Sequence, residues 1–131
     1  MLFSGLTAFP APALDEADRA AGRTVIVQQI EAFKRDDAEA AYALAAPSIQ
    51  GMFPSRELFL DMVRQGYRAV YRPRTFDFGM HREAGDGFEQ ALRIQDGEGV
   101  DWDAIYSLER QGDGSWRISG CRIVKRPGDA V

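Results

Sequence analysis

Residues 75–124 read TFDFGMHREAGDGFEQALRIQDGEGVDWDAIYSLERQGDGSWRISGCRIV, and the spacing of glycine within them decides the fold. Gly85-Asp86-Gly87, Gly97-Glu98-Gly99 and Gly112-Asp113-Gly114 share one pattern, an acid between two glycines. Glycine supplies the positive φ that a three-residue hairpin loop with a bulge requires. Reading each triplet as such a loop fixes a register. Ala84 then pairs with Phe88, Met80 with Leu92 and Phe78 with Ile94. Across the next hairpin Ile94 meets Trp102, Leu92 meets Ala104 and Phe88 meets Leu108; across the last, Leu108 meets Ile118. All these partners share one face of a sheet, and a two-residue loop would set apolar against polar. The stretch predicts a four-stranded antiparallel meander. Beyond Gly120 the alternation changes phase, because Trp116 and Ile118 give way to Cys121 and Ile123. A bulge at Gly120 accounts for that and bends the sheet.

Upstream of residue 75 the period is helical. Asp15 or Asp18 caps a helix with Ile26, Ile30 and Phe33 on one face, and Lys34-Arg35 complements its C-terminal dipole. Asp36-Asp37 starts a short second helix with Ala38, Ala41, Tyr42 and Ala45 facing one way, and Pro47 ends it. After a turn around Ile49 to Phe53, Pro54-Ser55 opens a third helix carrying Leu58, Phe59, Met62 and Val63, closed by Gly66. Three helices on one curved meander enclose a cone-shaped core, an α+β fold.

Composition agrees with one such domain. The 131 residues are 45% hydrophobic and 27% charged, and a compact chain of this length has a radius of gyration of about 14 Å. Sixteen basic against twenty acidic residues give a net charge of −4, which disfavours a general nucleic-acid binder. One Cys and one His are too few for a structural zinc site or an intrachain disulfide, and no apolar run is long enough to span a bilayer. Residues 1–14, MLFSGLTAFPAPAL, are uncharged, and Ala11-Pro12-Ala13 has the small-x-small form of a signal-peptidase site. They read as a floppy arm or as the remnant of a truncated signal peptide; residues 15–127 form the domain and 128–131 a tail.

The order of elements, with IEAFKRDDAEAAYALAAPSIQGMFPSRELFLDMVRQGYRAVYRPRTFDFG (Ile30 to Gly79) and YSLERQGDGSWRISGCRIV (Tyr106 to Val124), resembles the nuclear transport factor 2-like superfamily. More narrowly, it resembles the bacterial family catalogued as domain of unknown function 4864. The resemblance implies a cone-like α+β fold, a pocket between helices and sheet, and dimerisation through the sheet. It also implies export, which favours the signal-peptide reading; a correct start at Met1 leaves a cytoplasmic protein. It carries no activity, because the superfamily holds isomerases, dehydratases and non-catalytic domains alike.

An isomerase-like site needs a carboxylate base and a phenol or protonated acid facing the pocket. Asp77, Asp101 and Asp103 alternate with inward Phe76, Phe78 and Trp102, so they point away, as does His81 beside Met80. Asp61, with Tyr42 or Tyr106, is the remaining acid for an isomerase or lyase. One row of the pocket face is polar: the register sets Arg82, Gln90, Tyr106 and Gly120 side by side between apolar rows. A guanidinium, an amide and a phenol there would orient a small ligand bearing a carboxylate or similar anion, with Tyr42 above them on its helix. The plainer reading puts this row at the open end of the cone, in water. From Arg56 to Arg82 six arginines face three acids and interleave with Tyr67 and Tyr71, forming either an anion-attracting patch or a solvated helix end. Cys121 reads as a buried apolar residue, and Trp116 stacks with Arg110 opposite.

The sequence thus predicts a non-catalytic domain that binds a small ligand or a protein partner through Arg82, Gln90, Tyr106 and Tyr42, with no metal and no cofactor. An Asp/Tyr isomerase and a purely structural dimer are the alternatives.

Overall fold

The computed structural model describes residues 14–127. The expected N-terminal arm, apart from Leu14, and the expected tail lie outside these residues. Helices α1 (Glu16–Lys34), α2 (Ala38–Ala43), α3 (Pro47–Met52), α4 (Arg56–Gly66) and α5 (Arg68–Tyr71) precede strands β1 (Pro73–Ala84), β2 (Gly87–Asp96), β3 (Asp101–Arg110) and β4 (Trp116–Lys125). The strands form one antiparallel sheet in the order β1-β2-β3-β4.

The polar residues before each main helix do the expected capping. Asp15 forms a reciprocal capping box with Asp18, Asp37 accepts from the Ala40 amide, and Ser55 accepts from the Leu58 amide. Five helices replace the three expected, because the turn after Pro47 closes into α3 and a single helical turn, α5, follows Tyr67. The buried face of α4 is Phe59, Leu60 and Val63, whereas Leu58 is exposed. Ile26, Ile30 and Phe33 of α1 are all buried, as their spacing predicts. Gly22 brings this helix close to the sheet: a Cβ there would lie 2.4 Å from Cζ of Phe88. The segment after α2 is stapled to β4, where Ile118 N–H donates to Leu44 O at 2.9 Å and Ala46 N–H to Ile118 O at 2.8 Å.

The second and third hairpins have the expected register: Ile94 opposes Trp102, Leu92 opposes Ala104, Phe88 opposes Leu108, and Leu108 opposes Ile118. The first differs. Ala84 pairs with Gly87, so the loop is the two residues Gly85-Asp86, with positive φ at Gly85 as a type II′ turn requires. The resulting one-residue slip puts Arg82 opposite Glu89 and His81 opposite Gln90, and irregular pairing between Phe78 and His81 then restores the apolar phase. Phe78 therefore opposes Leu92, not Ile94, and Phe76 opposes Ile94. Phase can fail locally here because β1 is the uncovered edge: α1 and α3 contact β4, α5 contacts β2 and the start of β1, and Met80 is 83% exposed. No apolar layer penalises the slip. In β4 the bulge falls at Ser119, one residue before the expected glycine, so that Tyr106 opposes Cys121.

Candidate functional site

Inward side chains of β3 alternate through Ala104, Tyr106 and Leu108, all buried. Above Tyr106 the helices do not close on the sheet, which leaves a cavity of about 430 Å³. Gln29 and Phe33 of α1, Ile49 and Met52 of α3, Phe59, Met62 and Val63 of α4 and Val70 of α5 line it, together with Phe53 and Tyr67. The sheet contributes Tyr106 and the bulged run Ile118, Ser119, Gly120 and Cys121. The irregular stretch of β4 thus becomes part of the wall.

Among these described lining residues none is charged. Gln29 is buried, and its Nε2 donates to Ala41 O at 3.1 Å. Tyr106 is 1% exposed, and among the described residues its hydroxyl has no oxygen or nitrogen partner, only the Cys121 thiol beside it. Burial chiefly, and the neighbouring Cys121 thiol secondarily, hold that hydroxyl well above the ordinary tyrosine range, so it stays protonated. Cys121 is a soft neighbour, too weak a hydrogen-bonding group to replace an oxygen or nitrogen partner. Burial pushes its own thiol up to about 12. The floor of the cavity is therefore polar but neutral, beneath a roof of aromatic and aliphatic side chains.

The expected polar row does not assemble. Arg82 lies outside the cavity on the exposed edge strand, with Nη2 donating to Glu89 Oε1 at 2.6 Å; the first-hairpin slip moved it out of phase with Gln90. Gln90 is fully buried opposite Tyr106, as the register predicts, yet it does not line the cavity. Its Nε2 donates to the carbonyls of Gly79, Met80 and Ala91 at 3.1, 3.3 and 2.9 Å, which ties it to the irregular stretch of β1. Those three acceptors fix which end of the amide is nitrogen. Gln90 Oε1 is left without a partner, the other such buried side-chain atom among the described residues. Tyr42 is also elsewhere: its hydroxyl lies 2.9 Å from Gln50 O and 2.6 Å from Phe53 O, latching α3 in place. Of the four candidate ligand-binding residues, only Tyr106 reaches the cavity. Gln29, Ser119 and the aromatic roof were missed because helix azimuth and the bulge position decide their direction.

Asp61, the acid considered for catalysis, is half-exposed beside Arg64 Nη1 at 3.2 Å and does not line the cavity. Asp103 meets Arg126 Nε at 3.0 Å. The arginine-rich segment is largely paired, mostly with acids from outside it: Arg56 pairs with Glu39, Arg64 with Asp61, Arg72 with Asp36 and Arg82 with Glu89, while Arg74 donates to Gly97 O. Arg72 also lies over the Tyr71 ring at 4.1 Å, and Arg110 lies 5.0 Å over Trp116. Among the described residues no His, Cys, Asp and Glu cluster could hold a metal, and no helix is long and apolar enough to cross a membrane.

Residues 15–131 match the family model described as Domain of unknown function (DUF4864). The chain belongs to this family. No curated protein matches it. A crystal structure of an NTF2-like protein of unknown function from Shewanella baltica OS155 is similar, with a TM-score of 0.60 at 13% identity. The match covers 89% of this chain and 100% of that one, so this DUF4864 domain has the NTF2-like fold. At that identity the likeness speaks to the fold alone.

Proposed function

We propose that this DUF4864 domain binds a small, predominantly apolar molecule in the cone between helices and sheet, without turning it over. The observation that carries this reading is Tyr106, a cavity-lining residue whose buried hydroxyl has no oxygen or nitrogen partner among the described residues. A buried hydroxyl left unsatisfied costs about 1–3 kcal/mol, and a guest that supplies the missing bond recovers it. The volume supports the same reading, since roughly 300–1,000 Å³ is usual for small-molecule pockets. The isomerase or lyase alternative needs a carboxylate against the guest, and Asp61 is directed to Arg64 and water instead.

Self-association through the outer sheet face belongs to the proposal as a secondary element. A shallow groove there is bounded by Met80, Ala91 and Ile105 and flanked by Arg82, Glu89 and Arg122. Met80 and Val124 are well exposed. Sedimentation over a range of concentrations tests it.

The ligand proposal is tested with the neutral fluorophore N-phenyl-1-naphthylamine. Saturable one-to-one binding is expected in the wild type. Met62→Trp, which fills the cavity rim, should abolish it with the circular dichroism spectrum unchanged. Arg82→Ala, remote from the cavity, should leave it intact. Absence of saturable binding in the wild type would overturn the reading.

A further inference from the structure

The chemistry of the guest follows from the wall, granted the binding reading above. We propose that the cavity selects neutral molecules with an aromatic or aliphatic body and one hydrogen-bond acceptor, a ketone or ester carbonyl that accepts from the Tyr106 hydroxyl. It discriminates against carboxylates of the same shape.

Three observations converge on this class. First, the described lining residues include no Lys, Arg or His, so an ionised guest would lose its hydration with no cation to replace it. Arg82, the cation that could have paired with a carboxylate, is held by Glu89 on the exposed edge strand. Second, the polar groups at the floor have unequal vacancies. The Gln29 amide gives one of its two N–H groups to Ala41 O, whereas the buried Tyr106 hydroxyl has no oxygen or nitrogen partner and only the Cys121 thiol beside it. A phenol donates better than it accepts, and the adjacent Cys121 thiol, protonated at neutral pH, offers only a weak donor of its own. An acceptor on the guest therefore gains most. Third, the roof is aromatic: Phe33, Phe53 and Phe59 face the cavity, and Phe59 packs 5.9 Å from Phe53 and 6.3 Å from Phe33 between ring centroids. Flat or aliphatic bodies suit such a surface.

The test uses three isosteric probes in competition with N-phenyl-1-naphthylamine: 2-acetylnaphthalene, 2-isopropenylnaphthalene and 2-naphthoate. They share shape and differ in carrying a neutral acceptor, no acceptor, or a charge. The ketone should bind about tenfold tighter than the hydrocarbon, the gain of one well-placed buried hydrogen bond. The carboxylate should bind more weakly than either. In Tyr106→Phe the ketone's advantage should disappear while hydrocarbon binding persists, a difference that general unfolding cannot produce. Equal affinity for ketone and hydrocarbon in the wild type, retention of the advantage in Tyr106→Phe, or tightest binding of naphthoate would each overturn the inference and leave the ligand-binding reading standing. Failure of the fluorophore itself to bind would remove both.

Discussion

Replacing Tyr106 by Phe removes one oxygen and leaves the ring. In the folded protein that oxygen is buried with only the Cys121 thiol beside it, while in the unfolded chain water bonds to it. The native state therefore bears a desolvation penalty of about 1–3 kcal/mol that the unfolded state escapes. The ring's place in the buried core is preserved, so no cavity of methyl size opens to offset the gain. Part of the penalty is already relieved by contact with the Cys121 thiol, which places the expected stabilisation near ~1 kcal/mol. At this chain length that corresponds to a rise in Tm of about 3–5 °C. Urea unfolding followed by Trp102 and Trp116 fluorescence provides the measurement. The midpoint should rise and the slope should stay unchanged, since the area exposed on unfolding barely differs. A variant less stable than wild type by ~1 kcal/mol or more would mean that the hydroxyl is satisfied in the ligand-free fold, and the functional argument would lose its foundation. The expected pairing of higher stability with weaker ketone binding is the usual exchange at a functional position.

Other consequences follow from the same geometry. Gly22→Ala should destabilise by about 1–2 kcal/mol in thermal or urea melts. A Cβ 2.4 Å from the Phe88 ring forces overpacking that exceeds the helix-propensity gain. The hydrogen bond from Tyr71, reinforced by Arg72, holds the Asp36 carboxyl below its ordinary value. The stability it adds is complete above the unfolded pKa near ~4 and is lost as pH falls through the folded one, so Asp36→Asn should flatten the acid limb of the stability profile. For Cys121 the shift is upward, so native stability should decline as pH rises from about 9, where the unfolded thiol ionises, towards about 12. Mass spectrometry after iodoacetamide at pH 8 should find the partly buried native thiol slower to react than the urea-unfolded thiol; equal rates would refute the upward shift.

The class of fold, the order of the four strands, the apolar register of two of the three hairpins and the principal caps were all legible in the sequence. These rest on local rules that neighbours reinforce: Asp15, Asp37 and Ser55 sit where helix amides need acceptors, and Gly99 and Gly114 sit where hairpins need positive φ. It also placed Tyr106 and Gln90 opposite each other on adjacent strands, because β2 and β3 are central and covered, where a slip of one residue would turn a whole apolar face outward. The rest turns on how the layers pack. On the uncovered edge strand both phases are affordable, so the two-residue turn at Gly85-Asp86 and the irregularity at Gly79-Met80 could trade places with a three-residue loop, and Arg82 went out with them. Whether Tyr42 faced the cavity or latched α3 depended on where residues 47–53 folded back, a contact eight to eleven residues away in sequence. The cavity itself is a gap between layers, and a gap has no residues of its own from which it could be read.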